Sequence, residues 1–426
     1  MQIKQNIISG ILVSFIALPL CIAIASASQF PIASGIFTAI IGGILVSQIN
    51  GSHVTINGPA AGMIAVIIDS VEKLGNGDLV QGYKYTIGAI LIAGVLQIIL
   101  SFFKIIEKMR KFPEIIIRGM MMAIGLIVMV KQIFVLNGYK PASVNIIGLF
   151  EYLPQSFLGM EIENFAIGFF SIMIILLWSK YLENKKFFKF IPVYLVVIIF
   201  GSLIASFLNI KENQHFFNQN YASPITSNFV SVPQNIISAI NFPDFHLINS
   251  LEFWLATLTI FAVGTLETVL STLAVDKIDP LKRTTNLKKE LRAIGLGNTI
   301  CGAIGALPMI AEIVRSTANV KYGATQKTSN LFHGIALLLM ITIFSFILKY
   351  IPLAILAGML IIIGYNMFNP RLFYQIIKTS KTDTITIILV IFFTLKVDLL
   401  VGIIAGLLFW LGDHKFKKNV NEKKIG

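Results

Sequence analysis

Pro113–Gly125 reads PEIIIRGMMMAIG, and Pro352–Gly364 reads PLAILAGMLIIIG. Pro113, Gly119 and Gly125 of the first stretch have counterparts in Pro352, Gly358 and Gly364 of the second, with a Gly-Met step at the same place in each. Outward from these two stretches, apolar segments fall near 7–28, 34–49, 57–70, 85–103, 113–135, 165–182 and 190–208. A second set follows near 251–274, 291–306, 308–319, 331–348, 351–368, 383–395 and 399–411. Each quoted stretch is the fifth of its own set of seven. Because seven is odd, equivalent helices of the two sets run in opposite directions, the inverted repeat common among membrane carriers. The expected fold is an all-α polytopic membrane protein of about fourteen transmembrane segments. Its units are a first repeat at 1–210, a polar extracytoplasmic loop at 211–250, a second repeat at 251–412 and a basic tail at 413–426.

Composition supports lipid as the solvent for most of the chain. Of 426 residues, 56% are hydrophobic and 13% charged, with a mean hydropathy of +0.81, whereas soluble domains carry about a quarter of their residues as charges. The net charge of +13 would in a soluble protein raise the question of nucleic acid, but the charges are confined to short connections and no soluble basic domain carries them. Basic clusters lie at 104–111, 180–189, 277–292 and 415–424, while 137–164 holds Lys140 alone and 212–252 holds no Lys or Arg. That alternation obeys the positive-inside rule and places both termini and every basic cluster on the cytoplasmic side of a bacterial inner membrane. Cys21 and Cys301 fall in apolar runs, offering neither a disulfide framework nor metal-ligand spacing. Lys4 and the small residues Ala25, Ser26 and Ala27 mimic a cleaved signal, yet the long run between them contains Pro19 and reads as a retained first helix.

The third segment of each set is short and opens with proline, GPAAGMIAVIIDS from Gly58 and LPMIAEIVRSTAN from Leu307. Short, proline-interrupted segments at matching positions of two repeats point to a midplane binding site. A helix that begins inside the bilayer presents N–H donors without intrahelical partners and about half a positive charge from its dipole. Two such starts facing each other would cage an anion without a buried Lys or Arg. The plain alternative is that Pro59 and Pro308 begin ordinary helices after tight loops.

Glu267, in the middle of FAVGTLETVLSTLAV, costs about 2.5–3.5 kcal/mol to insert and needs a compensating partner. Ser271 follows at i+4 on the same helix face. Carboxylate and hydroxyl together suit Na⁺ or a titrating proton, against the alternative of a structural hydrogen bond to a neighbouring helix. Glu312 and Arg315 are three residues apart, close enough for an ion pair, so the choice there is between a structural salt bridge and a substrate contact. His53 and His333 read as loop or interface residues, and the many Phe as lipid-facing bulk.

These residues resemble the SulP family of anion transporters over nearly the whole chain. The pieces that carry the resemblance are ALPLCIAIASAS (17–28), GSHVTINGPAAG (51–62), LETVLSTLAVDKIDPLKR (266–283) and LPMIAEIVRSTANVKYGA (307–324). The resemblance implies a uracil-permease-like fold in which a core domain moves against a gate domain, with two half-helices meeting at the midplane. It also implies an anion site at Pro59, Ala60 and Ala61 of one half-helix and at Ile310, Ala311 and Glu312 of the other, with Arg315 beside it. Glu267 matches an acidic position that is a sodium ligand in a sodium-dependent bicarbonate member, and Ser271 matches its hydroxyl partner. The implied partners are a small inorganic anion of the sulfate or bicarbonate class, Na⁺ or H⁺ as coupling ion, membrane lipid and a second copy of the chain, since members are commonly dimers. No other cofactor is expected. Where many members carry a STAS domain, only a Lys-rich tail follows Leu411, and Ile310 stands where some members have a hydroxyl residue. A nucleobase permease or an anion channel on the same fold remains an alternative, and a membrane enzyme is least supported because no nucleophile–base constellation is present.

Overall fold

The computed structural model describes residues 2–141, 146–182, 191–207 and 239–425, with residues 185 and 188 between them. Fourteen of the helices among these take the places of the fourteen apolar segments. In the first half they are α1 (Gln2–Ala27), α2 (Ile32–Ile41), α3 (Ile64–Gly75), α4 (Leu79–Ser101), α5 (Glu114–Leu136), α6 (Ile162–Leu177) and α7 (Val193–Phe207). In the second half they are α8 (Leu251–Ile278), α9 (Leu287–Ile304), α10 (Ile313–Lys321), α11 (Thr328–Leu348), α12 (Leu353–Phe368), α13 (Lys381–Lys396) and α14 (Leu399–Ile425). α2 continues through a π turn at Gly42–Val46 to Ile49. Seven of the spans are long and apolar enough to cross a bilayer by themselves. The stretch 137–164, singled out above only for its scarcity of Lys and Arg, contains a further helix, Ile146–Leu158. Most of the expected loop at 211–250 lies outside the described residues. The expected basic tail continues α14 as helix to Ile425.

Two elements depart from an all-helical reading. Ile56–Pro59 (β1) and Met309–Glu312 (β2) form an antiparallel pair, with Ile56 opposite Glu312 and Pro59 opposite Met309. Inside a bilayer every backbone N–H and C=O needs a protein partner, and a broken span satisfies that need here by pairing with its counterpart. The residue before a proline avoids the α region. The helices therefore begin several residues beyond Pro59 and Pro308, with a 3₁₀ turn at Ala61–Met63 leading into α3 and Glu312 capping α10.

The helices gather into two bodies. α1–α4 pack with α8–α11, and α5–α7 pack with α12–α14. The quoted glycines explain the second body: a methyl group at Gly125 would press on the carbonyl oxygen of Gly364, and one at Gly364 on that of Gly125. These equivalent helices, α5 and α12, thus meet backbone to backbone. Their other glycines carry the inverted symmetry further, since Gly119 faces Val390 on α13 while Gly358 faces Gly168 and Ser171 on α6. The bodies touch along a seam where α1 meets α7 and α12, α3 meets α5, and α8 meets α14.

Side-chain contacts define the two ends of the molecule. At one end, Asn6 of α1 accepts from Thr325 N at 2.8 Å, Arg283 donates to Thr325 O at 2.8 Å, and Glu290 of α9 accepts from Gly51 N and Ser52 N at 2.7 and 2.8 Å. This end carries basic residues from 277–292, and we call it the basic face. Burial, together with Arg283 and Lys327, holds the His53 imidazole there below its ordinary range. At the opposite face Tyr83 donates to Gly305 O at 2.8 Å.

Candidate functional site

The ribbon of β1 and β2 is where the expected site residues converge. Its register sets Gly58 opposite Ile310 and Asn57 opposite Ala311, and Ala60, Ala61, Ile310 and Ala311 are all buried. The position of Gly58 and Pro59 follows from Arg315, a fully buried cation. A side chain at residue 58 would collide with the Arg315 guanidinium, so glycine makes the space. The Pro59 carbonyl accepts from Arg315 Nη2, and Nη1 reaches Cys21 Sγ of α1 at 3.6 Å. Arg315 Nε lies 3.7 Å from Glu312 Oε2, and the same carboxylate oxygen accepts the Arg315 backbone N–H at 2.7 Å. Glu312 is therefore both ion-pair partner and N-cap of α10. A carboxylate already resides at that positive helix end, which a reading of two unoccupied helix starts does not anticipate.

Glu267 of α8 is 6% exposed and lies against the other half-segment. A methyl group at Gly62 would overlap the Glu267 carboxylate, so the first turn leading into α3 approaches the acid closely only because residue 62 is glycine. Glu267 Oε2 and the adjacent Thr268 Oγ1 are buried with no hydrogen-bond partner among the described residues. A buried carboxylate oxygen without a hydrogen-bond partner fits a monovalent cation or a proton. Ser271 lies one turn further along α8 and is half-buried. Of the histidines, His53 is in a loop as expected, whereas His333 is fully buried within α11.

Uncharged polar residues within the apolar segments hold the ribbon's edges. On the β2 side, Asn298 of α9 donates from Nδ2 to Met309 O at 3.1 Å and accepts the Met309 N–H at 2.5 Å, imitating a neighbouring strand. Gln97 of α4 accepts a second Asn298 hydrogen at 2.8 Å, and Thr38 of α2 donates to Leu307 O at 2.7 Å. On the β1 side, Ser316 Oγ accepts the Ile56 N–H at 2.9 Å. Asn319 Nδ2 donates to Val54 O at 2.9 Å and Asn330 Nδ2 to Thr55 O at 3.1 Å. An unpaired strand edge is untenable in hydrocarbon, and these side chains serve as its missing neighbours. Their sequence signal was a lone amide in an otherwise apolar segment, as at Gln97 and Asn298.

Two proline-broken segments paired at mid-molecule between inverted repeats, with a buried cation and a buried acid on either side, make a recognisable arrangement. Residues 3–390 match the Sulfate permease family. The chain belongs to this family. It is 26% identical over 413 residues to the putative sulfate transporter YvdB of Bacillus subtilis, covering 96% of this chain and 72% of that one. It is 24% identical over 407 residues to the bicarbonate transporter BicA of Picosynechococcus, covering 95% and 69%. The solved transmembrane domain of a cyanobacterial BicA superposes with a TM-score of 0.77 at 21% identity, over 95% of this chain and 97% of that one. The murine Solute Carrier 26 family member A9 anion transporter in its inward-facing state superposes with a TM-score of 0.79 at 15% identity, over 97% and 68%. This sulfate permease family member is thus a multi-pass membrane protein of a family of anion transporters, not of enzymes.

Proposed function

We propose that this chain carries a small inorganic oxyanion, sulfate or bicarbonate, across a bacterial inner membrane, coupled to Na⁺ or H⁺ by alternating access. Its basic face and both termini would lie in the cytoplasm. The observation that carries the reading is the ribbon, because it holds the starts of α3 and α10 together while Arg315 and Glu267 flank them. The anion would rest between Pro59–Ala61 and Ile310–Glu312. The start of α3 has no side-chain cap and would offer its free first-turn N–H groups, while at α10, where Glu312 takes the Arg315 N–H, the buried Arg315 guanidinium would supply the attraction. Glu267, with Thr268 and Ser271 on the same helix, would hold the coupling cation. Cation binding there neutralises the acid next to the incoming anion, so each solute favours the other's binding.

Protein reconstituted in liposomes should accumulate radiolabelled bicarbonate or sulfate when a Na⁺ or H⁺ gradient is imposed. Glu267→Gln should abolish the dependence on the gradient while leaving the chain folded. Failure to take up either anion under both gradients would overturn the substrate assignment. Gradient-driven uptake by Glu267→Gln at the native rate would remove Glu267 from coupling.

A further inference from the structure

Among the described residues, one ion pair joins the two bodies across the seam. Lys131 of α5 extends its Nζ to Glu72 Oε1 of α3 at 3.5 Å, with side chains only 18% and 20% exposed. Glu72 Oε1 also accepts from Gln29 Nε2 at 3.2 Å. By contrast, the pairs Lys73–Asp69, Arg110–Glu107, Arg118–Glu114, Arg283–Asp279 and Arg315–Glu312 each link residues three or four apart, within one body. Gln29 stands in the α1–α2 turn with a φ of 58°, a left-handed conformation that costs a non-glycine residue of order 1 kcal/mol or more unless its surroundings hold it. From this turn the Gln29 amide reaches Glu72. All three residues lie at the face opposite the basic one, since α1 and α3 end there and α5 runs there from Glu114.

The pair lies at the end of α3, the helix that leads from the ribbon to the face opposite the basic one. From the site toward the opposite face the chain is α3, sealed under α5; from the site toward the basic face it is α10, whose first residues Ile313 and Val314 are 37% and 45% exposed. The cross-body pair is thus made on the side where the half-segment is covered by the second body.

We propose that Glu72, Lys131 and Gln29 form a latch that closes the seam at the face opposite the basic one and must part whenever the site opens there. This rests on the alternating-access reading and specifies which contact holds one of its two states. A pair whose partners belong to different rigid bodies exists in only one arrangement of those bodies, so its free energy biases the equilibrium between them directly. Charged side chains that have shed most of their water are screened little by salt, and an amide donor already aimed at Glu72 strengthens the acceptor geometry.

A thiol at Ile67→Cys on α3, a fully buried position, reports opening to a membrane-impermeant maleimide applied from the face opposite the basic one. The chain without that substitution is the control for Cys21 and Cys301. Adding Glu72→Gln or Lys131→Met should raise the labelling rate several-fold, and the charge-exchanged pair Glu72→Lys with Lys131→Glu should return it toward the starting value. An unchanged rate in both single variants, or no recovery on charge exchange, would overturn the latch. Glu72→Cys with Lys131→Cys, bridged by a short cleavable dithiol reagent, should lower uptake at least tenfold until the bridge is reduced. Full-rate uptake with the bridge formed would equally overturn it. The labelling readout needs no transported solute. A protein that takes up neither sulfate nor bicarbonate yet passes the labelling test would therefore refute the substrate assignment and leave the latch standing.

Discussion

α3 and α10 are equivalent by the inverted repeat, yet the structure treats them differently. Ile67 and Ile68 of α3 are 0% and 2% exposed, whereas Ile313 and Val314 of α10 are 37% and 45% exposed. α3 packs on α4, α8 and α5, the last from the second body, while α10 packs on α1, α8 and β1, all from the first. The helix termini also differ: α10 starts on the Glu312 carboxylate, and α3 starts from a 3₁₀ turn at Ala61–Met63 with no side-chain cap. Two copies of one design thus occupy different environments in a single arrangement. Under the alternating access proposed above, exchanging the two environments would convert one access state into the other.

Substitutions that attack this comparison at its centre should have the largest effects. Arg315→Ala leaves the Glu312 carboxylate beside an emptied buried space and deprives Pro59 O of its donor. It should cost about 3–5 kcal/mol and abolish uptake, checked by thermal unfolding in detergent alongside transport. The exposure difference can be read directly with single cysteines. In inverted vesicles Val314→Cys should react with an impermeant maleimide at least tenfold faster than Val66→Cys, at positions 45% and 4% exposed, and equal rates would erase the contrast between the half-helices.

Asn298→Ala should cost about 1–3 kcal/mol, because the Met309 N–H and C=O then lack partners in a dry interior. It should raise the KM for the anion more than it lowers the maximal rate, since β2 loosens while the rest of the site persists. The smallest effect concerns the opposite face. Burial pushes the Glu161 carboxyl there up to about 7, against the opposing pull of Asn164, whose Nδ2 donates to it at 2.6 Å. A carboxyl raised in the folded state contributes stability when protonated. The contribution is fully present below the ordinary glutamate range and fades as pH rises through about 7. Because Glu161 is half exposed, Glu161→Gln should gain well under about 1 kcal/mol relative to the native protein at pH 8. Melting temperatures measured between pH 5 and 8 check both sign and size.

Much of the fold was legible because hydrophobic length and charge placement are read one residue at a time. The glycine and proline spacing shared by 113–125 and 352–364 showed the repeat because α5 and α12 must approach to backbone contact, which tolerates no side chain at Gly125 or Gly364. The ribbon was not legible. Ile-Asn-Gly-Pro and Met-Ile-Ala-Glu are four residues each, too short for any alternation, and each is a strand only because the other exists. The same holds for the pairing of Gly62 with Glu267 and of Gly58 with Arg315, where a glycine's meaning depends on a side chain more than 200 positions away. Asn298 and Gln97 were visible as polar residues in apolar runs, but uncharged amides carry a weaker signal than Glu267, and their acceptor, the Met309 backbone, leaves no mark in sequence.

The ribbon also constrains how the protein is made. As the first half enters the membrane during synthesis, β1 has no neighbouring strand, and an unmatched backbone group in lipid costs several kcal/mol. Residues Ile56–Pro59 therefore cannot settle until the ribosome has delivered the chain as far as Glu312. Until then the segment must stay shielded by the translocation machinery or remain near the headgroups, so insertion of the third span is completed out of order.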